Sequence, residues 1–269
     1  GIMWTVSPGL ALGYSHSVNR FLVSEPDFLG FKSNPNYNSI VGMAADWQAE
    51  VWYNNIKDNF PSIFNRMDEF IVNDTVGKPA LWESETGPIS PSTLRYLHTL
   101  CDVKTHFGSL NNKSVVEIGV GYGGLCYMLH TYYDLFDYHL VDLDNVVLLT
   151  RKYLNRIGMH KSISYASGMQ NMHTRSFGSE EEVNMQPHGF TYDLAISEFC
   201  LSEMNDAGID DYYDEYILTS NSIYLLMNMH DELRKANFIK KVEKDFDIEV
   251  LEEFPVSDWP NYVIIGSKK

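Results

Sequence analysis

The chain has 269 residues, 44% of them hydrophobic, which is enough to bury one large core and too apolar for a disordered polypeptide. Its formal net charge of −16 sets up a field that repels polyanions, and no Lys/Arg cluster offers a local exception, so nucleic acid is not an expected partner. No run approaches the roughly 18 apolar residues of a membrane span, and the N-terminus lacks a secretory signal layout; with Cys101, Cys126 and Cys200 too far apart for a zinc or redox motif, the expected setting is the reducing cytoplasm.

Residues 1–38 are rich in Ser, Asn, Pro and Gly without a period, which predicts an irregular arm. Over 41–57, Trp47, Val51, Trp52 and Ile56 recur at helical spacing, and 61–71 continues in the same style. Ser90 followed by Pro91 reads as a capped helix start, and Gly108 as its end. The period changes at the turn 108–113. Beyond it, short β-branched runs alternate with helical stretches, the signature of βαβ units. Strands are predicted at 115–118, 138–141, 163–166, 192–196 and 222–226. Helices are predicted at 123–133, 146–156, 206–218 and 233–244, with Val147, Leu148 and Leu154 of the second facing the sheet. Strands at 248–251 and 262–265 flank a Pro-containing loop and close the chain. The expected fold class is therefore α/β: a Rossmann-like doubly wound sheet, mostly parallel, with an antiparallel C-terminal strand pair and an N-terminal helical cap. The expected division is 1–110 for arm and cap and 111–269 for the sheet domain.

Glu117-Ile118-Gly119-Val120-Gly121-Tyr122-Gly123-Gly124 is a strand entering a glycine turn and then a helix. Glycines suit a backbone that turns tightly and approaches a ligand closely. The spacing also satisfies the dinucleotide pattern, so an NAD-dependent oxidoreductase stands as an alternative, and Asp142 at the end of the second strand suits ribose hydroxyls under either reading. Glu117 separates the two. A carboxylate two residues before the first glycine repels a pyrophosphate but complements S-adenosylmethionine, which carries an ammonium and a sulfonium.

The combination of Ser90-Pro91-Ser92-Thr93-Leu94-Arg95-Tyr96, the glycine segment through Leu125-Cys126, Val141-Asp142-Leu143, Lys152-Tyr153-Leu154, and Tyr192-Asp193-Leu194-Ala195-Ile196-Ser197 with Ser202-Glu203 resembles the sugar O-methyltransferase family over residues 75–269. The chain departs from that pattern at Glu198, where Asn is usual, and at Cys200-Leu201, which replaces a small-aromatic pair. The resemblance implies S-adenosylmethionine as cofactor and a sugar or glycan hydroxyl as acceptor. It places Gly119, Gly121 and Gly123 along the methionine and ribose, Glu117 beneath them, Tyr122 as a lid, Asp142 on the ribose and Leu143 against the adenine. Gly168 and Met169 frame the adenine edge by position.

Methyl transfer to a hydroxyl needs a group that takes the proton. Ser197, Glu198 and Glu203, at the carboxyl end of the fourth strand, are the first candidates. Glu203 is preferred because it matches the family motif, and Glu198 stands nearer the strand tip. His230, after the fifth strand, and His173, in an expected loop, are further candidates. Arg95 can meet the methionine carboxylate or a sugar hydroxyl. The acidic residues Asp206, Asp210, Asp211, Asp214 and Glu215 fall around the first turns of a helix, where the macrodipole favours them, and no metal is expected. The aromatics Trp47, Trp52, Tyr53, Phe60, Phe64 and Trp82 read as core rather than as a sugar platform. A catalytically inert methyltransferase-like binding module is the remaining alternative.

Overall fold

A computed structural model describes residues 8–42, 44–167, 170–177, 180–183, 190–257 and 261–269. The expected irregular arm is helical: α1 (Pro8–Val23), α2 (Glu25–Leu29), a 3-10 turn at Phe31–Ser33 and α3 (Pro35–Val41) follow one another. The polar residues that suggested a loop are the punctuation between these helices. Ser24 Oγ accepts from Asp27 N–H to cap α2, Asn34 Oδ1 accepts from Tyr37 N–H to cap α3, and each cap is followed by a proline in the first turn. Phe21, Phe28, Phe31 and Tyr37 are fully buried and pack edge-on or stacked against one another.

Gly42 ends α3, so the expected helix over 41–57 is two helices, the second being α4 (Asp46–Asn59). Trp52 and Ile56 are buried on it, whereas Trp47 is half exposed. Short helices α5 (Pro61–Phe64) and α6 (Met67–Phe70), a 3-10 turn at Ile71–Asp74 and a hairpin of β1 (Trp82–Ser84) and β2 (Gly87–Ile89) lead into α7 (Pro91–Phe107). Ser90 Oγ caps α7 by accepting from Thr93 N–H at 3.1 Å, and Gly108 leaves it at φ +71°.

The alternating region supplies β3 (Ser114–Ile118), α8 (Gly124–Tyr132), β4 (Asp137–Asp142), α9 (Asp144–Arg156) and β5 (Ile163–Ser167). An edge hairpin, β6 (Gln170–Phe177) and β7 (Glu180–Val183), follows; its polar composition gave no apolar alternation, and it places residue 173 in a strand rather than in a loop. The chain continues through β8 (Tyr192–Glu198), α10 (Cys200–Glu203), α11 (Asp206–Tyr212) with a π-helical extension at Tyr213–Ile217, and β9 (Ser220–Met227). It ends with α12 (Glu232–Val242), β10 (Phe246–Glu252) and β11 (Tyr262–Lys268). The nine-stranded sheet runs β10-β11-β9-β8-β3-β4-β5-β6-β7. The five strands from β9 to β5 are parallel, and β11 is antiparallel to both β9 and β10. This is a Rossmann-like doubly wound arrangement. Strand order reverses at β3, which puts a crevice at the carboxyl ends of β3, β4 and β8.

Side chains alternate between two cores. Val115, Leu140 and Tyr224 join α7, α8, α9 and the N-terminal helices on one face; their neighbours Val116, Val141 and Leu225 join α11 and α12 on the other. On α9, Val147 and Leu154 face the sheet as expected, but Leu148 is 48% exposed and Leu149 is buried in its place.

The cap is tied to α9 by a buried polar joint. Lys32 Nζ donates to Tyr153 Oη at 2.9 Å and to Asn73 O, and lies 4.4 Å and 4.6 Å from the ring centres of Tyr122 and Tyr153. Burial lowers its pKa to about 7, against the opposing charge of Asp74. Tyr153 Oη also lies 2.7 Å from Asn73 O and 2.8 Å from Asn73 Oδ1. Tyr153→Phe removes a buried hydroxyl from this cluster and is expected to cost about 1–3 kcal/mol of stability, read as a lowered urea midpoint. An unchanged midpoint would mean that the joint adds nothing to folding.

Candidate active site

The β3 turn opens the site. Gly119 (φ +80°) and Gly121 (φ +56°) face a cleft of about 750 Å³. A Cβ on Gly119 would stand 2.1 Å from Cys200 Cβ, so the residue is small because α10 starts against it. Gly123 does different work: it lies against Thr150 and Leu154, closing the turn onto α9 outside the cleft.

Four carboxylates line the cleft. Glu117 is 3% exposed, and its Oε2 accepts from Tyr138 Oη at 2.8 Å. Burial pushes its carboxyl well above the usual range; the Tyr138 hydroxyl opposes this, and the charges of Glu198 and Asp142 add to it. Asp142 is held rigidly, Oδ2 accepting from Val120 N–H and Oδ1 from Leu143 N–H, both at 2.7 Å. Burial raises it to about 6 against the pull of those N–H groups. Glu203, on α10, is raised to about 7 by burial and then by the charge of Asp142, and it accepts no hydrogen bond from the described residues.

Glu198, at the tip of β8, accepts from Thr99 Oγ1 of α7. Burial raises its pKa, while the Arg95 charge and the Thr99 hydroxyl hold it down. Its electrostatic neighbours, Arg95, Glu253 and Asp102, differ from that of Glu203, which is Asp142. The cleft therefore has an Asp142–Glu203 end and an Arg95–Glu198 end, with Glu117 coupled to Asp142 and to Glu198. Arg95 Nη2 donates to Val41 O at 3.4 Å, while its Nε is buried without a hydrogen-bond partner. The guanidinium carbon lies 5.4 Å and 5.9 Å from the ring centres of Tyr96 and Phe199. Phe199 sits at φ +65°, a strained value for a non-glycine residue, where the chain turns from β8 into α10.

The arrangement gathers Arg95, Glu117, Gly119, Gly121, Asp142, Glu198 and Glu203 at one cleft. Tyr122 is not a lid: it is 3% exposed, its hydroxyl accepts from Asn73 Nδ2 at 3.1 Å, and its ring packs 4.9 Å from that of Tyr153 inside the cap joint. Ser197 is fully buried and donates to Ile118 O at 3.0 Å, so it ties β8 to β3 and does not reach the cleft. Leu143 is half-buried against the core at the start of α9, outside the cleft lining. His230 is exposed beyond β9 and also does not line the cleft. Gly168 and Met169 lie outside the described residues.

Sequence reasoning missed Tyr14, Ile40 and Val41, which complete the lining from α1 and α3. Tyr14 stacks on Tyr37 with ring centres 5.5 Å apart. The spacing of Tyr14, Val18 and Phe21, all buried, was the overlooked helical signal. In the acidic run, Asp206 pairs with Arg234 and Asp210 with Lys241. Among the described residues no helix is long and apolar enough to cross a membrane, and the three cysteines are free and buried.

No family model matches the chain, and no curated protein sequence matches it. Among solved structures it is similar to the N-methyltransferase NodS from Bradyrhizobium japonicum in complex with S-adenosyl-L-homocysteine, with 13% identity over 66% of this chain and 87% of that one and a TM-score of 0.47. It is similar also to a methyltransferase from Pyrococcus furiosus (15% identity, 76% and 99% covered, TM-score 0.45) and to an rRNA methylase from Streptococcus thermophilus (12%, 65% and 96%, TM-score 0.41).

Proposed function

We propose that the chain is an S-adenosylmethionine-dependent O-methyltransferase acting on a sugar hydroxyl, with residues 111–269 binding the cofactor and residues 1–110 forming the cap that selects the acceptor. The observation that carries this reading is the pairing of buried Glu117 with Asp142 across a glycine turn in one cleft. Glu117 answers the methionine ammonium, Asp142 accepts from the ribose hydroxyls, and Arg95 is a donor for the methionine carboxylate or the acceptor. A pyrophosphate beside four carboxylates and one guanidinium would be repelled, which disfavours NAD. The same lining, with the net charge of −16, favours an uncharged acceptor over RNA.

The bound cofactor supplies an electrophilic methyl. The chain's own part would be to hold the acceptor hydroxyl toward that methyl and to take the hydroxyl proton on a carboxylate. Glu198 is the better placed acceptor of that proton: Glu203 belongs to the Asp142 end, where the ribose would sit, while Glu198 belongs to the opposite end with Arg95. Isothermal titration with S-adenosylhomocysteine, with NAD as control, tests the cofactor. Micromolar binding of the first and none of the second is the expected result; binding of NAD alone would replace this reading with an oxidoreductase, and binding of neither would leave an inert module.

A further inference from the structure

A second cavity adjoins Arg95 and Thr99, between α7, β9, β11 and the end of β10. Arg95 lines both spaces, and Thr99, which lines the second, donates to Glu198, which lines the first. The two spaces therefore adjoin at these residues. The second cavity is amphipathic, lined by the aliphatic Leu226, Leu251 and Val263 as well as by His98 and Asp102.

His98 is set with unusual definiteness. Its ring is stacked on Trp52 (centres 6.2 Å apart, 21° between planes) and lies 5.6 Å from the ring of Phe254. Trp52 Nε1 in turn donates to Phe254 O at 2.9 Å. His98 Nε2 is 3.6 Å from Asp102 Oδ2, and that carboxylate accepts from Tyr224 Oη at 2.7 Å. Nδ1 is buried with no hydrogen-bond partner. Arg95 Nε is a buried donor in the same condition. Two buried nitrogens left unmet on residues that line one cavity call for an explanation, since each costs about 1–3 kcal/mol. A hydroxylated ring answers both, because hydroxyls donate and accept, while its C–H face suits the aliphatic wall.

We propose that this second cavity is the acceptor subsite, where His98 Nδ1 accepts from a hydroxyl adjacent to the one methylated, and the His98–Asp102–Tyr224 chain thereby sets which hydroxyl faces Glu198. The assignment rests on the methyltransferase reading but locates a site and a specificity residue that reading does not. The subsite is tested by saturation-transfer NMR of methyl hexopyranosides and their mono-deoxy analogues on protein saturated with S-adenosylhomocysteine. Wild type is expected to contact at least one glycoside and to lose that contact when a single hydroxyl is removed. His98→Phe, which keeps the ring stack, is expected to weaken the parent glycoside by on the order of 10- to 100-fold and to erase the difference between parent and deoxy analogue. Leu251→Trp, which fills the cavity from the edge strand, is expected to abolish the contact, and both variants are expected to bind S-adenosylhomocysteine as wild type does. Glycoside contacts that survive in both variants, or that never appear in wild type while S-adenosylhomocysteine binds, would overturn the subsite. Failure of wild type to bind S-adenosylhomocysteine would instead overturn the function on which it rests.

Discussion

Glu198→Gln is expected to lower kcat by about 10²- to 10⁴-fold, the usual worth of a positioned general base, with the affinity for S-adenosylhomocysteine unchanged. The amide keeps an oxygen that can accept from Thr99 Oγ1, so the tip of β8 should hold its shape. What it loses is the capacity to take a proton beside Arg95. In wild type the carboxylate must be ionised to act, and burial holds its pKa above the ordinary value, so turnover rises with pH across that limb and falls as the group is protonated on the acid side. The limb should be missing in the variant's residual activity. Glu203→Gln is the control, because its carboxyl, raised to about 7, titrates near neutrality but has Asp142 rather than Arg95 as its electrostatic partner. The measurement is transfer of labelled methyl to whichever glycoside wild type accepts. Full turnover in Glu198→Gln with loss in Glu203→Gln would exchange the two roles.

Seven of the nine strands of the sheet could be read from the chain because β-branched runs bounded by helical stretches are a local signal, and each predicted strand lies within the observed one. The glycine turn could be read for the same reason, together with the places of Glu117 and Asp142 near the ends of β3 and β4. The N-terminal helices could not. Their caps, Ser24 and Asn34, and the prolines after them have the composition of a loop, and their stability comes from aromatic packing between elements rather than from any one stretch. Tyr122 was misjudged on similar grounds: nothing within the glycine segment says that Lys32, Asn73 and Tyr153 will draw its side chain into the cap. The different surroundings of Glu198 and Glu203 were equally out of reach, because they depend on Arg95 and Thr99, far earlier in the chain on α7, meeting the tip of β8.

Glu117→Gln is expected to weaken S-adenosylhomocysteine by about 2–5 kcal/mol, roughly 30- to 5,000-fold, while the unliganded variant melts at or above the wild-type temperature. Both effects come from one buried carboxyl. Its pKa in the folded chain is raised, so the native state disfavours the ionised form, and stability is lost as pH climbs from the ordinary carboxylate value through the raised one. Gln removes that cost at neutral pH, and its amide oxygen can still accept from Tyr138 Oη. The ligand's ammonium reverses the balance by pairing with the carboxylate, so binding to wild type draws off a proton wherever the free protein holds one. Affinity should therefore climb with pH below the raised value and level off above it, with a binding enthalpy that depends on the buffer's ionisation heat. Asp142, near 6, and Glu203, near 7, release protons in the same range, so the informative quantity is the difference between wild type and variant. A variant that melts lower and binds weakly would make Glu117 a structural residue. One that melts higher and loses both affinity and its share of proton release identifies a carboxylate held at a cost to the fold for the sake of a cationic ligand.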